Sequence, residues 1–150
     1  MNRIISGGQT GADRAGLDWA IRRGIEHGGW CPKGRLAGDG PIDPKYRVKE
    51  TISPGYFQRT KRNLLEADGT LIFMRGDRAI GGTGLTIRLA LEFNKPHLVV
   101  RVDSARPDTL AALIKQWLDA GKFSCINIAG PSELTDPGIY ADTTAILELC

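Results

Sequence analysis

Two glycine-rich stretches of the chain contain the residue types that bind anions. Residues 7–11 read Gly-Gly-Gln-Thr-Gly and residues 81–84 read Gly-Gly-Thr-Gly. Glycine allows positive φ angles and close approach of the backbone to a ligand, and threonine adds a hydroxyl donor. Where such a stretch precedes a helix, the unpaired N–H groups of the first turn and the helix dipole favour a phosphate. These stretches therefore predict a phosphate-binding site.

Other residues near these stretches could support the same chemistry. Gly130-Pro131-Ser132 follows the last apolar segment and adds a hydroxyl, as does Thr86 after the second stretch. Arg14 falls in the first turn of the predicted first helix, from which it could reach a ligand as a charged clamp. The alternative is that the glycines serve only tight turns, with Thr10 or Asp13 as a helix cap.

The spacing of the glycines matches neither of two common nucleotide-binding motifs. Neither stretch ends in the Gly-Lys-Ser/Thr of a P-loop, and neither has the full G-x-G-x-x-G spacing of a dinucleotide fold. Nucleoside triphosphate hydrolysis of the usual kind is therefore disfavoured. The candidate acids show no spacing typical of an acid/base pair, so no catalytic residue is assigned; they are Asp13, Asp39, Asp77, Glu92 and Glu133.

Apolar runs and helical patterns alternate along the chain. Strands are predicted over residues 2–5, 69–74, 97–102 and 123–130, with a brief one within 26–34; helices are predicted over residues 13–23, 53–68, 84–93, 107–120 and 138–149. Ser53 is the predicted N-cap of the second helix, with Pro54 at its first position. This alternation predicts one α/β domain, 1–150, with an open, mainly parallel sheet of about five strands and helices on both faces.

The sheet would bring the candidate loops together. Ligands of open α/β folds bind beyond the carboxyl ends of the strands, at the switch point in strand order. The strands ending near Ile5, Met74 and Ala129 each run into a glycine-containing loop. We therefore expect all three loops on the same edge of the sheet.

The segment from about residue 31 to 52 is long for a loop in a compact domain, and long ordered loops are often functional. It carries several cations, among them Lys33, and the aromatic side chain of Tyr46. It could be a lid with cationic phosphate contacts, or a solvated loop or subunit contact. Cys31 is expected to be an inert, reduced thiol, because no histidine accompanies it.

Composition restricts the remaining classes of function. The formal net charge of +3 is spread along the chain, which disfavours nucleic-acid binding. No apolar run reaches the length of a transmembrane helix and no secretory signal precedes the domain, so a cytoplasmic protein is expected. The three widely separated cysteines suggest neither disulfides nor a metal site.

Four segments together resemble a known family. They are residues 5–42, the stretch FQRTKRNLLEADGTLI at 57–72, GGTGLTIRLA at 81–90, and NIAGPSE at 127–133 with PGIY at 137–140. The chain resembles the molybdenum carrier proteins, also described as circularly permuted YpsA-like proteins. The resemblance implies a Rossmann-like fold of the superfamily that includes the DprA-type DNA-processing proteins and the lonely-guy phosphoribohydrolases.

The resemblance also implies a function and a site. The best-described relatives are homo-oligomers that bind the pterin molybdenum cofactor by its phosphate, so a dimer or tetramer that delivers cofactor to molybdenum enzymes is expected. The ligand contacts predicted from the residues and the resemblance together are Gly7, Gly8, Gln9, Thr10, Gly11, Asp13, Arg14, Lys33, Gly81, Gly82, Thr83, Gly84, Thr86, Gly130, Pro131, Ser132 and Glu133.

One departure from the superfamily bears on catalysis. Phosphoribohydrolases carry Pro-Gly-Gly-x-Gly-Thr followed by glutamate, and residues 80–88 here lack that glutamate. A carrier of molybdopterin, or of another phosphate-bearing, nucleotide-like ligand, is therefore favoured over an enzyme. The alternative is a nucleotide-sensing or nucleotide-processing domain, which would need a carboxylate near the anomeric carbon of its ligand.

Overall fold

The computed structural model describes all residues from Met1 to Cys150 and contains one five-stranded parallel sheet. The strand order is β2-β1-β9-β7-β8. The elements in chain order are β1 (Arg3–Ile5), α1 (Ala12–Arg22), β2 (Glu26–Gly28), β3 (Trp30–Cys31), β4 (Leu36–Ala37), β5 (Gly40–Pro41), β6 (Lys49–Glu50), α2 (Tyr56–Glu66), β7 (Gly69–Met74), α3 (Gly81–Glu92), β8 (His97–Arg101), α4 (Pro107–Gly121), β9 (Cys125–Ala129) and α5 (Ile139–Leu147). The predicted fold class is confirmed.

Helices cover both faces of the sheet. On one face α1, α4 and α5 enclose the largest apolar cluster, to which alternate residues of the central strands contribute, such as Ile126 and Ile128 of β9. On the other face α2 and α3 pack against each other around Leu64 and Leu89. Because β7 is buried along its whole length, its sequence is a continuous run without polar alternation.

The order of the strands creates a switch point. The chain passes from β1 through α1 to β2 on one side, and from β7 through α3 to β8 on the other, with β9 between β1 and β7. The loops that follow β1 and β7 therefore diverge around the carboxyl end of β9. This is where ligands bind in open α/β sheets.

Two predicted helix starts were wrong. The helix α2 begins at Tyr56 with Gly55 as its N-cap, and the Ser53 hydroxyl instead accepts the Gly55 N–H in a local turn. The helix α3 begins at Gly81, three residues earlier than predicted. The second glycine-rich stretch is thus the first helical turn itself, since tertiary packing overrides the low helix propensity of glycine.

The segment 29–52 is ordered and lies against α1. It contains two small sheets, β3 with β6 and β4 with β5, and it buries Cys31, Ile42, Tyr46 and Val48 against Leu17. Its Tyr46 hydroxyl donates to Asp18 of α1 at 2.6 Å. The segment also supports the first loop, because Ile42 and Val48 lie beside Gly8 and the Gly38 N–H donates to the Gln9 side chain.

None of the five helices combines the length and the apolar character that crossing a membrane requires.

Candidate ligand groove at the carboxyl edge of the sheet

Three loops meet at the carboxyl edge of the sheet, as predicted. Residues from the first loop, the start of α3 and the segment after β9 line one continuous depression, which we call the main groove. It has a deep recess of about 40 Å³, an outer pocket of about 350 Å³ and a far pocket of about 290 Å³. Gly82 and Gly130 connect the recess to the outer pocket; Thr83 and Pro131 connect the outer pocket to the far one.

The first turn of α3 forms one wall of the groove. No side chain caps this helix, so the N–H groups of Gly81, Gly82 and Thr83 are without intrahelical partners. Thr83 is only 5% exposed, yet it lines both the outer and far pockets, and its hydroxyl makes no hydrogen bond within the protein. A Cβ added at Gly82 would meet open space. This turn has the unpaired donors and the room that an anion needs.

Arg59 of α2 supplies a cation to the same place. Its guanidinium lines both the recess and the outer pocket, and its Nη1 donates to the carbonyl oxygen of Gly7 at 3.1 Å. It makes no ion pair with a carboxylate within 4.0 Å, unlike Arg14 and Arg75. A guanidinium held in this way retains donors for a phosphate oxygen.

A carboxyl group lies at the base of the recess. Asp13 is 6% exposed, and its Oδ2 accepts the Gln9 N–H at 3.3 Å. Burial raises the pKa of Asp13 to about 6, although the neighbouring Arg59 guanidinium and the Gln9 N–H act in the opposite direction. This carboxyl group therefore exchanges a proton close to neutral pH, within a cavity that opens to the groove.

The far pocket combines fixed and free charges. Arg75 is held by Asp136 at 2.9 Å and also by Asp142. Arg78 and Asp103 line the same pocket, and neither makes an ion pair. The Asp103 carboxylate accepts only the Gly76 N–H, at 3.1 and 3.2 Å. Both charged groups therefore remain available to a ligand.

The N-terminus of α1 is less open than that of α3. The Ala12 N–H already donates to the Pro131 carbonyl oxygen at 3.3 Å. A Cβ at Gly11 would lie 2.4 Å from that oxygen, so Gly11 is required where the first and third loops touch. The geometry thus favours the start of α3, rather than that of α1, as the place for an anion.

The first loop separates the main groove from a second depression, the rear groove, bordered by α1, α5 and the segment 29–52. Four of the predicted contacts line the rear groove: Thr10, Gly11, Arg14 and Glu133. Arg14 is paired there with Asp39 at 2.9 Å, and the Glu133 carboxylate accepts N–H groups at the start of α5. The structure therefore does not bring these four residues to the first turn of α3.

The remaining predicted contacts divide in a similar way. Residues on the main groove are Gly7, Gln9, Asp13, Gly81, Gly82, Thr83, Thr86, Gly130, Pro131 and Ser132. Gly8 faces Ile42 and Val48, and Gly84 packs against the Ala79 carbonyl. Lys33 is exposed and lines none of these cavities. Its proposed contact with a phosphate is not supported by the geometry.

Several groove residues were absent from the sequence prediction. These are Tyr56, Arg59, Thr60, Asn63, Arg78, Asp103, Asn127 and Thr135. The sequence contains a pattern that could have indicated two of them. Thr60 and Asn63 are polar residues at positions i and i+3 of one helix, and the structure buries both. Polar residues on the buried face of a helix indicate a polar site beneath it.

These features define a class of protein: a Rossmann-like α/β domain with a polar groove at its switch point, lined by an uncapped helix N-terminus and an arginine. Comparison with known sequences agrees with this assignment of the fold. The sequence profile of the circularly permutated YpsA SLOG family matches residues 4–150, so the chain belongs to that family.

A solved structure is similar over almost the whole chain. It is the 1.45 Å crystal structure of a protein from Syntrophus aciditrophicus, provisionally named a molybdenum carrier protein. The two chains are 44% identical, with a TM-score of 0.96, over 99% of this chain and 94% of the other. No curated protein matches this sequence.

Proposed function

We propose that this protein binds the molybdenum cofactor in the main groove and carries it, with the cofactor phosphate at the first turn of α3. The observation that carries the proposal is the unpartnered hydroxyl of Thr83, a largely buried residue that lines the groove, beside the free N–H groups of Gly81 and Gly82. Arg59 adds a positive charge on the facing wall. The provisional name of the Syntrophus aciditrophicus protein supports the same ligand class.

The residues of the groove fit a phosphate better than they fit a bare metal ion. No group of three or more His, Cys, Asp or Glu side chains is placed to hold a metal. The unpaired donors of the α3 turn, by contrast, are complementary to phosphate oxygens. In this proposal molybdenum arrives as cargo within the cofactor, and the protein's own contacts are made with the organic part.

A binding measurement with matched variants tests this proposal. We expect molybdopterin to bind the wild-type protein without turnover under anaerobic conditions, as measured by calorimetry. Thr83→Val removes one hydroxyl donor to a charged oxygen, so affinity should fall roughly 10- to 100-fold. Thr109→Val is the control, since Thr109 is also the third residue of a helix but is exposed and lies on α4. Absence of binding to the wild type, or equal losses in both variants, would contradict the proposal.

One observation favours a second function, the processing of a nucleotide. Asp13 lies in the recess with a pKa of about 6, next to the Arg59 guanidinium, and a carboxyl group of this kind suits proton transfer. Incubation with nucleoside 5′-monophosphates tests it. Release of free base by the wild type but not by Asp13→Asn would favour an enzyme, whereas intact nucleotide in both samples would favour a carrier.

We also propose that the protein is a homo-oligomer that hands its ligand to molybdenum enzymes. The surface near α2 and α3 exposes several large apolar side chains, among them Tyr56, Phe57, Ile80 and Leu91. Exposed apolar side chains on neighbouring helices are a feature of surfaces that contact another protein. Light scattering during size-exclusion chromatography would give the subunit number, and a monomeric mass would contradict the proposal.

A further inference from the structure

The far pocket of the main groove adjoins the anion-binding turn but is not needed for a single phosphate. Thr83 and Pro131 form a shared boundary between it and the outer pocket, so one ligand can extend through both. The outer pocket, at about 350 Å³, is already near the lower end of the usual range for small-molecule sites. A ligand that fills both pockets must continue beyond its first phosphate.

The chain connectivity places an acid where a ribose would lie. β7, α3 and β8 form a βαβ unit in which the glycine-rich turn opens the helix. Asp103 follows the end of β8, roughly 20 residues beyond the glycine-rich turn, and it reaches the far pocket. In dinucleotide-binding βαβ units, an acid at this position accepts hydroxyl groups of a ribose while the helix N-terminus holds the phosphate.

The local contacts leave Asp103 free for this role. Its two carboxylate oxygens share one N–H donor, that of Gly76, and no cation lies within ion-pair distance. Each oxygen therefore retains lone pairs for a hydroxyl donor. Two adjacent hydroxyl groups on one sugar match the two oxygens of a carboxylate.

Arg78 supplies the complementary charge in the same pocket. It makes no ion pair, whereas Arg75 beside it is held by Asp136 and Asp142. A second phosphate linked to the first could contact the Arg78 guanidinium while the first remains at the α3 turn. A ligand with two linked phosphates and a ribose would satisfy every free charged group of the two pockets.

We propose that the far pocket is a nucleoside subsite, in which Asp103 accepts the ribose hydroxyl groups and Arg78 contacts the adjoining phosphate. This inference rests on the proposed carrier function and narrows it, since the cargo becomes a nucleotide-bearing form of the pterin cofactor. A free ribonucleotide presents the same chemistry, and the experiment below separates the two sources.

The experiment compares four ligands by calorimetry under anaerobic conditions: molybdopterin, its guanine dinucleotide form, GMP and 2′-deoxy-GMP. We expect the dinucleotide form to bind the wild type at least tenfold more tightly than molybdopterin or GMP. We expect 2′-deoxy-GMP to bind several-fold more weakly than GMP, because it lacks one hydroxyl group. If GMP binds as tightly as the dinucleotide form, the subsite is supported with a free nucleotide as its occupant.

Variants identify the residue responsible. Asp103→Asn should lower affinity for the dinucleotide form and for GMP about tenfold, and should leave molybdopterin binding unchanged. Asp77→Asn is the control, since Asp77 lies in the neighbouring loop after β7, next to the Gly76 that contacts Asp103, is exposed and lines no part of the groove. Circular dichroism of each variant would confirm that the fold is retained.

The outcomes separate this inference from the carrier proposal. Equal affinities for molybdopterin and its dinucleotide form, with no effect of Asp103→Asn, would overturn the nucleoside subsite and leave the carrier proposal intact. Binding of GMP that depends on Asp103, without binding of either pterin, would overturn the carrier proposal and support the subsite. If none of the four ligands binds, both are overturned.

Discussion

The Arg59 guanidinium lies 3.1 Å from the carbonyl oxygen of Gly7, to which it donates a hydrogen bond from its Nη1. This contact joins α2, on one face of the sheet, to the loop that follows β1. A Cβ at Gly7 would lie 2.5 Å from that same nitrogen, so a side chain there would displace the Arg59 guanidinium from the groove. The cation of the groove is thus positioned by a backbone carbonyl rather than by a carboxylate that would neutralise it.

Replacing Arg59 should weaken ligand binding much more than it weakens the fold. For Arg59→Ala we expect a loss of about 10- to 100-fold in affinity for molybdopterin, equivalent to about 1.5–3 kcal/mol for a charge-assisted hydrogen bond. Arg62→Ala is a matched control on the same helix, because Arg62 stacks on the Trp30 ring instead. Calorimetry would give both affinities, and similar losses in the two variants would show that Arg59 has no special role.

A substitution at Gly82 should separate binding from folding. Its φ is not positive and a Cβ there would meet no atom within 4 Å, so Gly82→Ala should raise the free energy of unfolding by about 0.4–1 kcal/mol, because alanine lowers the entropy of the unfolded chain. The added methyl group narrows the groove where a phosphate would lie, so affinity should fall. Urea denaturation and calorimetry on the same sample would measure both effects.

Gly130→Ala is the contrasting variant. A Cβ there would lie 2.4 Å from the Phe73 carbonyl oxygen and 2.6 Å from the Ala12 Cβ, so this substitution should destabilise the fold itself. If Gly82→Ala destabilised the protein as much as Gly130→Ala, the first turn of α3 would be packed rather than open.

The Asp13 carboxyl group should make stability depend on pH in an unusual direction. Its pKa is raised by burial from 3.8 to about 6, so folding disfavours the charged form. The ionised carboxylate therefore lowers the free energy of unfolding. This loss is absent below pH 4, grows between pH 4 and 6, and is constant above that range, where it amounts to roughly 3 kcal/mol. Relative to Asp13→Asn, the wild type should therefore lose stability as the pH rises through this window.

Urea denaturation at several pH values between 4 and 8 would measure this difference. Asp39→Asn provides a control of opposite sign, because the hydrogen bond from Arg14 holds the pKa of Asp39 below its ordinary value. Relative to that variant, the wild type should lose stability as the pH falls. Parallel curves for the wild type and Asp13→Asn would show that Asp13 is ionised to the same extent in both states.

The sequence was sufficient to predict the sheet and the meeting of three loops, because parallel strands place all their carboxyl ends at one edge. It could not predict which side of the first loop faces the groove. Asp13 and Arg14 are neighbours in sequence, but successive helical residues point in directions about 100° apart. Asp13 therefore reaches the main groove, while Arg14 reaches the rear groove.

Arg59 shows a second limit of sequence reasoning. It lies in a helix with many charged residues, where an arginine is usually solvated, and its contact is with a backbone carbonyl 52 residues away. Such a contact depends on how α2 docks over the end of β1. The proposed role of Asp103 also depends on tertiary structure, because Asp103 lines the far pocket, which shares Thr83 and Pro131 with the outer pocket.

The hydroxyl groups of Tyr46 and Tyr140 donate to different oxygens of Asp18, at 2.6 and 2.7 Å. Tyr46 belongs to the segment 29–52 and Tyr140 to α5, so Asp18 joins both to α1. Because these bonds involve a charged acceptor, Tyr46→Phe and Tyr140→Phe should each lower the free energy of unfolding by about 1–2 kcal/mol.

The two variants should nevertheless differ in local stability. Tyr46→Phe releases a hydrogen bond that holds the segment 29–52 on α1, and this segment also supports the first loop through the Gly38 N–H, which donates to Gln9 at 2.7 Å. Limited proteolysis within residues 32–48 should therefore accelerate in Tyr46→Phe and not in Tyr140→Phe, because cleavage follows local opening. Equal cleavage in both would mean that the other contacts of the segment, such as the Arg14–Asp39 ion pair and the burial of Ile42 and Val48, hold it in place without the Tyr46 hydroxyl.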